Sequence, residues 1–189
     1  MGKYLDHKET WKNCTACALS QYRTKIVLAK GKIPCDVLFI GEAPGQSEDL
    51  IGKPFEGPAG DLLETIINRR TELGTLRLAY TNLVACIPKD EDGDKLMEPS
   101  KESLVACQTR LHEMIVLSRT KHVVCVGKLS MKWLKKMTEK SKQLQKQVTH
   151  WYEIIHPAAI LRADVSQQGL AIQKTGVILQ DVYLNFVPF

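Results

Sequence analysis

Short apolar runs alternate along the chain with segments whose apolar residues recur at helical spacing. The clearest runs are rich in β-branched residues and predict four strands, at Asp36–Ile40, Tyr80–Ala85, His122–Val126 and Glu153–Ile155. Strands that alternate with helical segments are typical of α/β units joined into a largely parallel sheet. The pattern therefore predicts an α/β fold with four central strands.

Helical spacing is clearest in three segments, Gly60–Arg70, Ser100–Leu117 and Lys128–Lys136. The second segment opens on Ser100, a residue type that caps helix N-termini well. In parallel sheets of this kind the ligand crevice lies beyond the carboxyl ends of the strands. Residues that directly follow the predicted strands are therefore the first candidates for chemistry.

Composition narrows the class of protein. The 189 residues are 44% hydrophobic and 25% charged, which excludes a disordered or low-complexity chain. The 26 Lys and Arg residues exceed the 21 Asp and Glu residues, and the net charge of +5 permits a polyanionic partner without establishing one. No apolar run is long enough to span a membrane, and the charged N-terminus does not resemble a signal peptide. We therefore expect a cytoplasmic protein that does not enter a membrane.

The six cysteines fall into two groups. Without an export signal they are expected to be reduced thiols or metal ligands and not disulfides. Cys35 and Cys125 lie at or inside apolar, strand-like runs, where a buried structural thiol is the expected role. The other four lie in polar, loop-like surroundings: Cys14, Cys17, Cys86 and Cys107.

Polar residues follow three of the predicted strands. Residues 41–60 hold five glycines and three prolines, which make a tightly turned loop that carries the carboxylates of Glu42 and Glu48. Asn82 lies in an apolar strand, where its amide either bonds to the backbone or presents a donor and an acceptor to a heterocycle. His156 is followed by a proline and lies where the crevice is expected, although a structural role is also open to it.

Several of these segments, in this order, resemble the motifs of the uracil-DNA glycosylase superfamily, most closely its iron–sulfur-containing family 4. The motifs are Gly41-Glu-Ala-Pro-Gly45, Glu48-Asp49, Gly52-x-Pro-Phe-x-Gly57-x-Ala-Gly60, Thr81-Asn82 and His156-Pro157. The similarity extends with gaps from Cys14 to about Asp181. It implies one domain over 1–189, a three-layer α/β/α sandwich with a mainly parallel four-stranded sheet, DNA as the partner, and a monomer.

The resemblance also implies a role for the four cysteines in polar surroundings. The family holds a [4Fe–4S] cluster with four cysteines, and those positions here are Cys14, Cys17, Cys86 and Cys107. Four thiolates also suit zinc, and spacing alone does not separate the two occupants. In either case we expect the metal centre to tie the N-terminal segment to the core.

Site residues follow from the resemblance position by position. It implies an enzyme that flips uracil out of DNA and hydrolyses its N-glycosidic bond. The catalytic candidates are Glu42, Glu48 and His156. The base-binding candidates are Phe55, Asn82, Gly41 and Ala43. The DNA-binding candidates are Gly45, Gly57 and Arg162.

The sequence departs from the family in places that leave other functions open. Cys86 is followed by an acidic stretch, Ile87–Asp92, instead of an Arg-Pro-Pro segment, and Glu56 and Pro58 replace a commonly aliphatic and a commonly basic residue. A glycosylase for a modified pyrimidine and a non-catalytic DNA-binding relative are therefore the alternatives. A nucleotide-binding Rossmann enzyme is a weaker alternative, because the chain has no G-x-G-x-x-G motif.

Overall fold

Five strands form the central sheet of the computed structural model, which describes residues 2–90, 92–93 and 95–186. The strands are β1 (Ala29–Gly31), β2 (Val37–Gly41), β3 (Leu78–Asn82), β4 (His122–Val126) and β5 (His150–Ile154). Their order is β1-β3-β2-β4-β5, and only β1 runs antiparallel to its neighbour. The predicted count of four strands was wrong, because the edge strand β1 was not predicted. Its three residues form no apolar run, and pairing with β3 makes them a strand.

Helices cover both faces of the sheet. They are α1 (Gly2–Trp11), α2 (Gln46–Ile51), α3 (Pro58–Arg70), α4 (Lys101–Ala106), α5 (Gln108–Ser118), α6 (Lys128–Glu139), α7 (Lys142–Gln147), α8 (Pro157–Arg162) and α9 (Val165–Phe186). Two 3₁₀ turns lie at Ala18–Gln21 and Leu73–Thr75. None of the helices within the described ranges is both long and apolar enough to cross a membrane.

The helix predicted over Ser100–Leu117 is two helices that meet at Cys107. Ser100 caps α4 as expected, since its hydroxyl accepts a hydrogen bond from the Ser103 amide at 3.2 Å. The acidic stretch after Cys86 includes Glu91, which lies outside the described residues. Its neighbours form a small hairpin-like turn in which Lys89 bridges to Leu96.

Side chains alternate between two cores on either side of the sheet. Leu38 and Ile40 of β2 point into a core formed with α4 to α7, whereas Val37 and Phe39 point into a second core with α3 and α9. All five residues of β2 and of β4 are buried, as expected for central parallel strands. The three-layer α/β/α sandwich is confirmed.

The register of the sheet aligns the strand ends that carry polar residues. Gly41 of β2 pairs with Asn82 of β3, and Val126 of β4 pairs with Ile154 of β5. The third strand ends at Asn82, three residues before its predicted end. Asn82 is therefore the last strand residue and lies at the crevice edge.

Candidate active site

A cleft of about 920 Å³ opens at the carboxyl ends of the parallel strands, in the size range of small-molecule sites. It brings together nearly all the predicted base-binding, DNA-binding and catalytic residues. Those that line it are Glu42, Ala43, Gly45, Glu48, Phe55, Gly57, Asn82, His156 and Arg162. Gly41 lies directly behind this lining.

Asn82 and Phe55 meet over Gly41. A Cβ atom on Gly41 would lie 2.3 Å from Asn82 Oδ1 and 2.9 Å from Phe55 Cζ, so only glycine leaves room for both side chains. Asn82 is 2% exposed, and its Nδ2 has no hydrogen-bond partner among the described residues. A buried amide donor without a partner costs about 1–3 kcal/mol, which a ligand acceptor in the cleft would recover.

The backbone of Phe55 is held in an unusual conformation. Its φ is 56°, a value that non-glycine residues adopt rarely and that is often found at functional sites. The Phe55 amide donates to Glu48, and the Phe55 carbonyl accepts from Lys30 Nζ at 2.9 Å. The ring packs on Tyr80 with centroids 5.4 Å apart, and it also contributes to the cleft lining.

The Glu48 carboxylate organises this loop. It accepts hydrogen bonds from the backbone amides of Gly45, at 2.8 Å, and of Phe55 and Glu56. Burial raises the pKa of the Glu48 carboxyl, and these amides partly oppose that effect. The neighbouring Glu56 is paired with Lys30 at 3.1 Å, so its carboxylate has a partner within the protein.

Glu42 reaches across the sheet toward the turn between β4 and α6. Its carboxylate accepts from the Leu129 amide, and its Oε1 lies 2.5 Å from the point that a Cβ on Gly127 would occupy. Burial, and then the charge of Glu98, raise the pKa of the Glu42 carboxyl. Glu42 is thus a fixed and partly desolvated carboxylate in the cleft.

His156 lies beside the same glycine and caps α8. Its Cδ2 is 3.4 Å from the Cβ position of Gly127, which places the imidazole close to Glu42. The ring Nδ1 accepts from the Ala158 amide at 3.2 Å, so the neutral ring carries its hydrogen on Nε2. Burial, and then the positive charge of Arg162, lower the pKa of His156 and favour this neutral donor.

Exposed cations and small residues surround the mouth of the cleft. The side chains of Lys128, Arg162 and Lys174 are exposed and contribute to its lining. A Cβ on Gly45 would meet no atom within 4 Å, so packing in the free protein gives no reason for a glycine there. Open space at this position suits close approach of a ligand backbone.

The four cysteines predicted to form a metal centre line one small cavity, next to the segment that follows β3. Arg23 and Arg110 line it too, and Arg23 Nη1 lies 3.2 Å from Cys86 Sγ. Four thiols beside two arginines suit an anionic thiolate centre. As placed, no group of three His, Cys, Asp or Glu side chains in the described part of the chain forms a site for a single metal ion.

The other two thiols lie away from this cavity. Cys35 and Cys125 are buried in the sheet core, where burial raises the pKa of each to about 12. These surroundings keep both thiols protonated, in agreement with the expected role of buried structural thiols.

Sequence reasoning missed three residues that act on the site: Gly127, Glu98 and Arg110. Gly127 directly follows β4, just as Gly41 is the last residue of β2. This similarity could have identified Gly127 from the sequence. Arg110 is 1% exposed and lies on the face of α5 that also buries Leu111 and Met114. A charged residue within an apolar helical stripe could therefore have identified it from the sequence. Nothing in the sequence pattern placed Glu98 near Glu42.

Chemically, the cleft can hold a planar polar ring. A ring stacked by Phe55 would meet an amide donor from Asn82, an imidazole donor from His156 and a carboxylate from Glu42. Donors aimed at one edge of a leaving group and a carboxylate near its bond are the parts needed for hydrolytic cleavage of a heterocycle from a sugar.

Comparisons with known proteins identify the family of the chain. The profile of the "Uracil DNA glycosylase superfamily" matches residues 28–175. The type-4 uracil-DNA glycosylase of Saccharolobus solfataricus is 34% identical over 163 residues, which cover 79% of this chain and 73% of that relative. The type-4 uracil-DNA glycosylase of Pyrobaculum aerophilum is 32% identical over 169 residues and covers 82% of both chains.

A solved structure is similar in fold. The wild-type Pedobacter heparinus SMUG2 structure superposes with a TM-score of 0.61 at 16% identity, covering 78% of this chain and 75% of the other. At that identity the likeness concerns the fold alone. The profile match and the two sequence relatives go further, and they establish that this chain belongs to the uracil-DNA glycosylase superfamily, among the type-4 enzymes.

Proposed function

We propose that this protein is a monofunctional DNA glycosylase that flips uracil out of DNA and hydrolyses its N-glycosidic bond. The observation that carries the proposal is the unpartnered Nδ2 of Asn82, buried beside Phe55 in the cleft. Uracil presents the O4 acceptor that this donor lacks, whereas cytosine presents an amino group there. The names of the type-4 relatives support the same substrate.

Capture of the base offsets the cost of leaving the duplex. Flipping costs a few kcal/mol, and stacking on an aromatic ring returns about 1–3 kcal/mol. Phe55 is the stacking surface, Asn82 reads the base edge, and Gly41 and Ala43 leave room for the ring. Gly45, Gly57 and Arg162 contact the DNA backbone at the mouth of the cleft.

Bond cleavage places negative charge on the departing base and positive charge on the sugar. His156 donates from Nε2 to the base O2, where that negative charge develops. Glu42 orients the attacking water and balances the positive charge on the sugar. The neutral tautomer set by Ala158 suits this role, because the donor is in place before the charge appears.

Glu48 supports these steps through the loop instead of touching the base. Its carboxylate is engaged by the amides of Gly45, Phe55 and Glu56. It therefore holds the backbone of Phe55 and of Gly45 in place, and with it the position of the Phe55 ring in the cleft. We assign Glu48 to the positioning of the site.

We propose that Cys14, Cys17, Cys86 and Cys107 hold a [4Fe–4S] cluster, with zinc as the less favoured occupant. The ligand set is supported by the cavity that all four cysteines line, together with Arg23 and Arg110, which suit an anionic thiolate centre. The resemblance to the iron–sulfur-containing family 4 favours iron over zinc. When bound, the cluster supplies a structural tie between the N-terminal segment and the core.

Replacing single cysteines tests this ligand set. Protein purified without oxygen should be brown and contain iron, and Cys14→Ala or Cys107→Ala should lose the metal and most soluble protein. Cys35→Ala and Cys125→Ala are the matched controls, because their thiols lie outside the cavity and the metal should stay bound. Metal analysis that finds zinc without iron would replace the cluster by zinc and keep the ligands.

We further propose that the enzyme acts as a monomer, as one domain over 1–189, in the cytoplasm where it meets DNA. Among the described residues, α1 packs on α5 through His7 and Trp11, and the Tyr4 hydroxyl donates to the Ala29 carbonyl of β1 at 3.4 Å. His7 and Trp11 both contact the Glu113 carboxylate, at 3.1 and 2.7 Å. These contacts support a single folding unit that includes the N-terminal segment.

The experiment that tests the function is base release from defined oligonucleotides. Purified protein is incubated with DNA carrying one uracil, one cytosine or one modified pyrimidine, and abasic sites are revealed by alkaline cleavage. Release of uracil supports the proposal. Release of a modified pyrimidine alone would reassign the substrate, and binding without release of any base would identify a non-catalytic relative.

A further inference from the structure

Arg110 is a buried cation that contacts the end of β3. It is 1% exposed, and its Nη2 donates to the carbonyl oxygens of Asn82 at 2.5 Å and Leu83 at 2.9 Å. Its Nη1 donates to Thr81 Oγ1 at 3.1 Å. Three of its contacts therefore lie in the short segment that presents the Asn82 carboxamide.

The same guanidinium also contacts the cysteine cavity. It lines that cavity and hydrogen bonds to Cys107, and the sulfur atoms of Cys107, Cys86 and Cys14 would stabilise its positive charge as thiolates. None of the ion pairs formed by the described residues includes Arg110. A buried cation without a counter-charge costs several kcal/mol, so an anionic centre at the cysteines would stabilise it.

The Asn82 carboxamide depends on such support. Its Nδ2 has no partner among the described residues, so its orientation follows from the backbone and from packing against Gly41 and Phe55. A misplacement of about 1 Å in a catalytic site can cost on the order of a hundredfold in rate. A contact that fixes the backbone carbonyl of Asn82 therefore helps to position the carboxamide that reads the base.

We propose that Arg110 is a positioning residue that links the two sites: the anionic cysteine centre holds its guanidinium, and the guanidinium fixes the end of β3 and thereby the Asn82 carboxamide. This inference rests on the proposed glycosylase function and on a thiolate-bound centre at the four cysteines. It predicts that the metal centre influences base reading through one side chain.

Arg23 provides a matched control. Its Nη1 contacts the same cavity, donating to the Cys14 carbonyl at 2.6 Å and lying 3.2 Å from Cys86 Sγ. Within the described part of the chain, the hydrogen bonds of its guanidinium go to Cys14 and Cys86 and not to β3 or Asn82. Arg23→Met therefore removes a cation from the cysteine centre while it leaves the strand end untouched.

The experiment compares wild type, Arg110→Met, Arg110→Lys and Arg23→Met at equal metal content. Amide hydrogen exchange follows the Leu83 and Val84 amides, which bond to Gly41 and Glu42 at 2.9 and 3.3 Å. Arg110→Met should raise their exchange about tenfold or more, since hydrogen bonds to a charged group are lost. It should also slow single-turnover uracil release on the order of a hundredfold at unchanged DNA affinity. Arg110→Lys should recover part of both, and Arg23→Met should leave the exchange of the Leu83 and Val84 amides at the wild-type rate.

A double-mutant cycle separates positioning from general stability. In the Asn82→Ala background, Arg110→Met should slow the reaction little further, because the group that it positions is gone. The proposal would be overturned if Arg110→Met caused its full loss of rate in that background as well. It would also be overturned if the Leu83 and Val84 amides of Arg110→Met exchanged at the wild-type rate. If Arg110→Met does not fold, the exchange of Arg110→Lys decides by the same criterion. If wild type releases no base, the proposed function fails, while the exchange comparison still tests the link.

Discussion

At His156 one backbone hydrogen bond sets the chemistry of the ring. Nδ1 accepts from the Ala158 amide, so the neutral imidazole keeps its hydrogen on Nε2. At Glu42 the hydrogen bond from the Leu129 amide favours the ionised carboxylate and partly opposes the burial that raises its pKa. Individual side chains here take their roles from local backbone donors.

The choice of base should follow the donors and acceptors of residue 82. Asn82→Asp replaces the Nδ2 donor with a second acceptor, which no longer matches uracil O4 but can accept from the cytosine amino group. We expect uracil release to fall about a hundredfold or more, and the ratio of cytosine to uracil release to rise. Single-turnover assays on both substrates measure this. An equal loss on both bases would contradict base reading by Asn82.

The pH dependence of the reaction should respond to two charges near Glu42. In the proposed mechanism Glu42 is ionised and His156 is neutral, so we expect activity to be lost on the acid side, as pH falls through the raised pKa of Glu42. Glu98→Gln removes a negative charge, lowers the pKa of Glu42 and should move the acid limb to lower pH. Arg162→Gln removes a positive charge, raises the pKa values of Glu42 and His156 and should move it to higher pH.

Profiles of single-turnover rate against pH, at saturating enzyme, measure these shifts. Shifts in the same direction for both variants would show that another group sets the acid limb.

At the scale of elements, α2 joins the active-site loop to the N-terminal segment. Glu48 holds the amides of Gly45 and Phe55, and the adjacent Asp49 accepts from the Thr24 amide at 2.9 Å with both carboxylate oxygens. Two neighbouring carboxylates of one short helix thus accept from backbone donors in separate segments. These hydrogen bonds tie the loop that carries Phe55 to Gly45 and to the N-terminal segment.

Two glycines of this loop should differ in what they do. Gly45 has an ordinary φ and open space, so Gly45→Ala should keep or raise stability, by about 0.4–1 kcal/mol, while it weakens DNA binding. Gly57 has φ +115° and Ser47 Oγ 3.0 Å from its Cβ position, so Gly57→Ala should destabilise the fold by about 1–2 kcal/mol. Denaturant unfolding and DNA titrations on both variants measure the difference. Unchanged DNA affinity of Gly45→Ala would refute a DNA-contact role for Gly45.

At the scale of the whole molecule, the mouth of the cleft carries three exposed cations beside the exposed carboxylates of Glu98 and Glu153. Lys128, Arg162 and Lys174 are exposed at its mouth, each contributed by a different helix or turn. Cations at the rim of a cleft steer a polyanion toward it. We therefore expect these three cations to contact DNA phosphates at the cleft mouth.

The salt dependence of DNA binding should report these contacts. The logarithm of the affinity should fall linearly with the logarithm of the salt concentration, because phosphate contacts release counterions. Lys174→Gln should reduce the slope by about 1. Lys121→Gln is the control, since Lys121 is exposed but directly precedes β4, at the amino ends of the parallel strands and away from the cleft. A flat response in wild type would argue for a small-molecule substrate.

Much of the fold was predictable because its signals are local. The strands β2 and β4 are continuous apolar runs that end at a glycine, and α3 repeats its apolar residues at helical spacing. The candidates Glu42, Asn82 and His156 were found because parallel strands bring their carboxyl ends to one edge of a sheet. Family resemblance then supplied roles for residues such as Phe55 and the four cysteines.

The sequence by itself therefore determined the α/β fold, the main strands and the residues that come to the cleft. Only the tertiary structure decided what depends on partners distant in the chain. The edge strand β1 exists through its pairing with β3, Glu98 raises the pKa of Glu42 from another loop, and Arg110 lies between the cysteines and Asn82. Hydrophobic periodicity carries local information, whereas a charge or a hydrogen bond between distant segments arises only when the chain is packed.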